Sequence, residues 1–199
     1  MSADLENGYA DDPMGVAETV RLACEAGLAG LSVEDTALPG TDPYPFDLAV
    51  ERVRAAASAA RALPRDLVLV ARADGVMNGT YDLAEGLRRL RAFEAAGADC
   101  LYLPMPPSFD DVALICRSVS RPVNALAAGS FARHSRADFA QAGVARISLG
   151  SALARATHRV IVEAGRAMFG EGSFEPLARG APEGGGVAID ALLAKGARA

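Results

Sequence analysis

The feature that most constrains this chain is an alternation of short apolar runs, several ending in charged residues, with longer amphipathic runs. Leu28–Val33 ends in Glu34-Asp35, Asp66–Ala71 in Arg72, and Asp99–Leu103 in Pro104. Pro122–Leu126 and Ala145–Leu149 repeat the pattern. Near-continuous Val, Leu and Ile runs of this length fit parallel strands buried on both faces. The intervening stretches carry apolar residues at helical spacing: Val50, Val53, Ala57 and Ala60 in one, Leu83, Leu87 and Leu90 in another. Asp12-Pro13 reads as a helix cap and first helical residue, and Gly27, Gly97 and Gly143 as helix stops. Further helices are expected from Ser108, from Ser135 and over Ala152–Phe169.

Strand and helix in alternation predict an α/β fold of βα units around a parallel sheet. With a short strand at Ser2–Leu5 the count is six, whereas a closed (βα)8 TIM-type barrel has eight. The expected organisation is a partial (βα) barrel over residues 1–170. A Gly/Pro-rich segment, 171–199, should follow, with a short helix over Ala188–Ala197.

A formal charge of -5 gives no reason to expect nucleic acid or an anionic membrane as partner. No apolar run approaches the ~20 residues of a membrane span, and the acidic N-terminus has no leader-like apolar core, so a cytoplasmic protein is expected. Cys24, Cys100 and Cys116 are too widely spaced for a zinc site and read as small buried hydrophobes. Lys195 is the sole lysine and lies in the tail, which excludes a Schiff-base lysine in the barrel. His134 and His158 have no Ser or Cys partner at a suggestive spacing.

Parallel α/β folds place their sites at the C-terminal ends of the strands. There the chain carries Asp4 and Glu6, Glu34-Asp35, Arg72-Ala73-Asp74, Asn124 and Gly150-Ser151. If the first strand persists, Asp4 and Glu6 share a face. Asp4, Glu6 and Glu34 at one rim repel each other unless a cation sits between them. Magnesium is the expected ion, with manganese as a substitute; magnesium takes one or two carboxylates directly and keeps waters. Arg72 would face the same mouth and hold a substrate carboxylate or phosphonate in a fork. Asp35 and Asp74 read equally well as caps or as loop-positioning acids. Gly150-Ser151 reads either as a tight turn or as an anion cradle at a helix N-terminus.

Ala3-Asp4-Leu5-Glu6-Asn7-Gly8-Tyr9 followed by Asp11-Asp12-Pro13, then Gly30–Asp35 and Val70–Asp74, resembles successive strand motifs of the isocitrate lyase/phosphoenolpyruvate mutase family. Ala95–Leu103, Pro122-Val123-Asn124 and Gly143–Gly150 continue the likeness in order, over about residues 2–170. The resemblance implies a (βα)8 barrel, commonly a homo-oligomer (dimer or tetramer). It also implies a magnesium-dependent lyase or mutase that makes or breaks C–C or C–P bonds beside a carboxylate, through an enolate. The substrate class would be a small oxo acid, dicarboxylate or phosphonate. Carried over, Asp4 looks like the principal magnesium carboxylate, and Glu6 and Glu34 like members of the metal shell. Arg72 looks like the substrate-anion arginine, with Arg72 and Glu34 as the catalytic residues. Arg72, Asn124, Gly150 and Ser151 are the expected substrate-binding set.

The chain also departs from the family pattern. The loop from Thr36 to Phe46 has no Cys, Lys or His. Lyase chemistry that uses a loop cysteine as acid/base is therefore not expected, and the Lys- and Asn-bearing loop of the phosphonomutases is missing. The family's first two strands have no counterpart, so the chain is expected to begin at the third. Two other readings stay open: an inactive, truncated family member acting as a binding remnant, and an unrelated phosphate-binding barrel using Gly150-Ser151.

Overall fold

The computed structural model describes residues 1–178 together with 191, 193 and 194. Its strands are β1 (Ser2–Asp4), β2 (Gly30–Glu34), β3 (Val68–Arg72), β4 (Cys100–Tyr102), β5 (Val123–Leu126) and β6 (Arg146–Ser148). Between them run α1 (Pro13–Glu25), α2 (Phe46–Arg61), α3 (Gly75–Asn78), α4 (Leu83–Ala95), α5 (Phe109–Ser118) and α6 (Arg136–Gln141). After β6 come α7 (Ala152–Arg166), a π-helical turn and α8 (Glu175–Ala178). The helix expected over Ala188–Ala197 and Lys195 lie almost wholly outside the described residues.

Local chemistry explains the helix boundaries. The Asp12 carboxylate accepts from the Gly15 N–H at 2.9 Å and Pro13 follows it, so α1 starts where the sequence signals. Asp82 caps α4 through the Glu85 N–H. Ser108 with Asp111, and Ser135 with Asp138, form reciprocal capping boxes on α5 and α6. Gly27, Gly97 and Gly143 take positive φ just beyond α1, α4 and α6, and each turns the chain into the next strand.

All five strand pairs are parallel and the spatial order β1 to β6 equals the chain order. A doubly wound sheet reverses its order at a switch point; this one never does. It is six strands of a (βα)8-type barrel, as expected.

Pleating divides each strand between two environments. Leu31, Val33, Leu69, Ala71, Leu101 and Val123 point toward the helices and join one core with Val16, Val20, Val53, Leu90, Phe93 and Ile115. Each fully buried Leu or Phe here contributes about 1.5–3 kcal/mol. The opposite face carries Ser32, Glu34, Val70, Arg72, Cys100, Tyr102 and Asn124, which alternate with that set. Apolar runs on both faces are therefore only half the outcome: the inner face is apolar low in the strands and polar toward their C-terminal ends.

The chain forms two compact units, Met1–Gly150 and Ser151–Ala199. All six strands belong to the first, and the boundary expected near residue 170 falls inside the second. Within the second unit, Leu153, Val160, Ile161 and Phe169 are exposed. Among the described residues no helix is long and apolar enough to cross a membrane.

Candidate active site

The C-terminal ends of β1, β2 and β3 bring three carboxylates to one guanidinium. Register places Glu34 opposite Arg72 and Asp4 opposite Ser32. Arg72 Nη1 donates to Asp4 Oδ2 at 2.7 Å. Its Nε and Nη2 grip both oxygens of Asp74, at 3.1 and 2.5 Å, in the bidentate fork that suits this pair. Nη2 also stands 3.1 Å from Glu34 Oε2. Of five N–H groups, one on Nη1 is outside these contacts. Arg72 is therefore the counter-charge of the strand-end acids, with one Nη1 N–H outside these contacts.

The electrostatics are unbalanced. Three carboxylates against one guanidinium leave two negative charges in excess if all are ionised. Burial, then the Asp74 charge, pushes the Glu34 carboxyl up to about 7, although Arg72 pulls the other way. Burial opposes the charge on Arg72, but Asp74, Asp4 and Glu34 outweigh it and hold the guanidinium above its ordinary range.

Asp4 and Glu34 differ in access: the Asp4 side chain is 62% exposed and that of Glu34 11%. Asp4 Oδ1 accepts from Ser32 Oγ at 3.0 Å and from the Glu6 N–H at 3.2 Å.

Glu6 does not share the face of Asp4. The strand ends at Asp4, and Glu6 turns into the left-handed region at φ 51°, so period-two alternation does not reach it. Its carbonyl accepts the Glu34 N–H, while the residue lines a separate depression with Leu38 and Pro39. Among the described residues no group of three or more His, Cys, Asp or Glu side chains stands in a metal-holding arrangement.

Asn124 is buried on the same sheet face as Arg72, but its amide is occupied: Nδ2 donates to Ser148 Oγ and Oδ1 accepts from Arg146 Nη1. Gly150 closes the first unit with φ 53°, and Ser151 opens the second, where its Oγ accepts from Arg155 Nε.

Asp35 and Asp74, left open in the sequence, are both structural anchors of the site. Asp35 is 2% exposed and accepts three donors: the Asp74 N–H at 2.8 Å, Tyr81 Oη at 2.8 Å and Arg89 Nη1 at 3.0 Å. It thus fixes the backbone of the residue that grips Arg72. Gly75 follows because a Cβ there would fall 2.1 Å from the Tyr81 ring.

Two buried arginines were missed. Arg89 of α4 bonds Asp35, Glu85 and the Tyr44 carbonyl. Arg52 of α2 donates to the carbonyls of Asn7, Ala10 and Asp11 and lies 3.9 Å from the centre of the Tyr44 ring. It ties down the loop after β1. The available signal was position: Arg52 falls between Ala49 and Val53, and Arg89 between Gly86 and Phe93, on the inward stripes of their helices.

The chain is similar to known proteins in sequence and fold. A family model described as phosphoenolpyruvate phosphomutase matches residues 1–169. An oxaloacetate decarboxylase from Paraburkholderia xenovorans (strain LB400) is 37% identical over 127 residues, covering 60% of this chain and 41% of that protein. A crystal structure of a candidate lyase/mutase from Burkholderia cenocepacia J2315 superposes with a TM-score of 0.86 at 42% identity, covering 91% of this chain and 66% of that one. Oxaloacetate acetylhydrolase in complex with oxalate superposes with a TM-score of 0.78 at 25% identity, covering 100% of this chain and 71% of that one. The chain spans about half the length of the curated relatives it matches.

Proposed function

This chain belongs to the phosphoenolpyruvate phosphomutase family, and from that premise we propose that it forms the metal- and anion-binding half of a lyase or mutase acting on a small 2-oxo acid. The observation that carries this is the charge imbalance at the strand ends: Asp4, Glu34 and Asp74 around Arg72 alone. A divalent cation, magnesium or manganese, restores neutrality. The donor set fits such an ion, since magnesium takes one or two carboxylates directly and reaches others through water. Exposed Asp4 would hold the ion directly and Glu34 through water. Glu6 contributes its N–H to Asp4 and not its carboxylate, which amends its expected place among the ligands.

When bound, the cation supplies positive charge beside the oxo oxygen of the substrate as an enolate develops. The chain's own residues supply the rest. Asp74, held by Asp35, orients the Arg72 plane. The remaining Nη1 N–H of Arg72 donates to one oxygen of the substrate carboxylate. Burial holds the Glu34 carboxyl up at about 7, so its proton would compete with a cation, and cation uptake should be stronger at pH 8 than at pH 6. A homo-oligomer is the expected assembly and a small carboxylate the expected partner.

The test is calorimetric titration of the chain with oxalate, which stands in for the enolate head, with and without magnesium. Oxalate should bind only with the cation, and Asp4→Asn should weaken that binding by roughly 10- to 100-fold. Oxalate binding that ignores both magnesium and Asp4 would leave the barrel ancestry without the metal site.

A further inference from the structure

The loop after β1 and the loop after β2 face each other across an open depression of about 400 Å3. It is lined by Glu6, Asn7, Tyr9, Asp11, Leu38 and Pro39. Glu6 links it to the strand-end acids: its N–H donates to Asp4 Oδ1 and its carbonyl accepts the Glu34 N–H. A substrate whose head sits beside Asp4 and Arg72 and whose tail follows the loops would reach this space.

The depression has a definite chemical sign. Its charged lining residues, Glu6 and Asp11, are both acids. The loop from Thr36 to Phe46 contains no Lys, Arg or His. Arg52, the nearest guanidinium below the β1 loop, is 1% exposed and spends its donors on three backbone carbonyls. Arg89 is likewise buried against Asp35. What the depression offers instead is contact: Tyr9 is 64% exposed and Leu38 37% exposed, with Pro39 beside them. Tyr9 is presented on a loop pinned from below by Arg52 and by its own N–H to Asn7 Oδ1, so little ordering remains to be done on binding.

We propose that the substrate tail in this depression is uncharged, so that the substrate is a 2-oxo monocarboxylate with an alkyl or aryl tail. This rests on the metal-site reading above and extends it to substrate class. A second carboxylate, or a phosphonate, would face Glu6 and Asp11 with no basic side chain in the lining and would be disfavoured by repulsion. An alkyl tail would cover Leu38, Pro39 and the Tyr9 ring instead. The relatives named for oxaloacetate take a dicarboxylate; this chain would not share that preference.

The test compares two acids of equal length, 2-oxopentanoate and 2-oxoglutarate, which differ only by methyl against carboxylate. Both are titrated into the 199-residue chain with magnesium, next to oxalate as the common head. The expected result is at least roughly tenfold tighter binding of 2-oxopentanoate. Leu38→Lys, a loop change outside the strand-end acids, should reverse the order and leave oxalate unchanged. Equal or tighter binding of 2-oxoglutarate by the unaltered chain would overturn the inference, as would oxalate binding with neither tailed acid. Failure of oxalate itself would instead sink the metal-site reading.

Discussion

Near pH 6, Glu34 takes up a proton on folding. Its carboxyl stands at about 7 in the folded chain, against 4.5 as its ordinary value. A raised folded pKa stabilises fully below the unfolded value and is lost as pH rises through the folded one. Cation-free chain should therefore lose on the order of 2–3 kcal/mol from this residue between about pH 4.5 and 7. Glu34→Gln should flatten that part of the profile. Denaturant titrations at pH 5 and pH 8 measure it, and an equal loss in both proteins would show that the proton sits elsewhere. Arg72 has the opposite character: it stays charged throughout and its worth lies in geometry. Replacing it by Lys would keep the charge and lose the fork on Asp74.

At the scale of elements, the site is braced by helices packed against the sheet. Arg89 of α4 joins the end of β2 through Asp35 and the following loop through the Tyr44 carbonyl. Asp35 passes the constraint to β3 through the Asp74 N–H. Arg89→Met should cost about 3–5 kcal/mol, since it leaves the Asp35 charge buried with its cation removed. Adding Asp35→Asn should recover part of the loss, because the stranded charge is then gone. Chemical denaturation of the two single variants and the double variant gives the coupling; strict additivity would mean that the pair acts independently. α2 plays the matching part for the β1 loop through Arg52. Helices packed on the outside of the sheet thus set the positions of loops on its top.

For the molecule as a whole, the sheet has a protected centre and two weakly covered ends. Among the described residues β1 and β6 each have one sheet neighbour, whereas β2 to β5 have two. Side chains of β4 are buried at all three positions; those of β1 and β6 are partly buried or exposed. Amide exchange should therefore be slowest in β3 and β4 and fastest, among strands, in β1 and β6. Hydrogen exchange read by mass spectrometry tests this order. Uniform protection across all six strands would show that something covers β1 and β6 in solution, as a second copy of the chain would.

How much of this was legible in the sequence depends on the range of the interaction. Helix starts at Asp12, Ser108 and Ser135, and stops at Gly27, Gly97 and Gly143, follow from contacts within a few residues, and the structure places them where the sequence signals. Strand alternation and the βα order were equally visible, because pleat and helical period are local geometry. The meeting of Asp4, Glu34 and Arg72 was inferable from strand ends, because the parallel register aligns them. The rest needed the tertiary structure. Glu6 leaves the shared face because the chain turns one residue after β1, which the pattern Asp-Leu-Glu does not announce. Asp35 and Asp74 become anchors, Arg89 supports Asp35 and Arg52 the β1 loop, through partners up to 54 residues away. A buried charge is tolerable only where distant groups converge on it, and that convergence is a property of the packed fold.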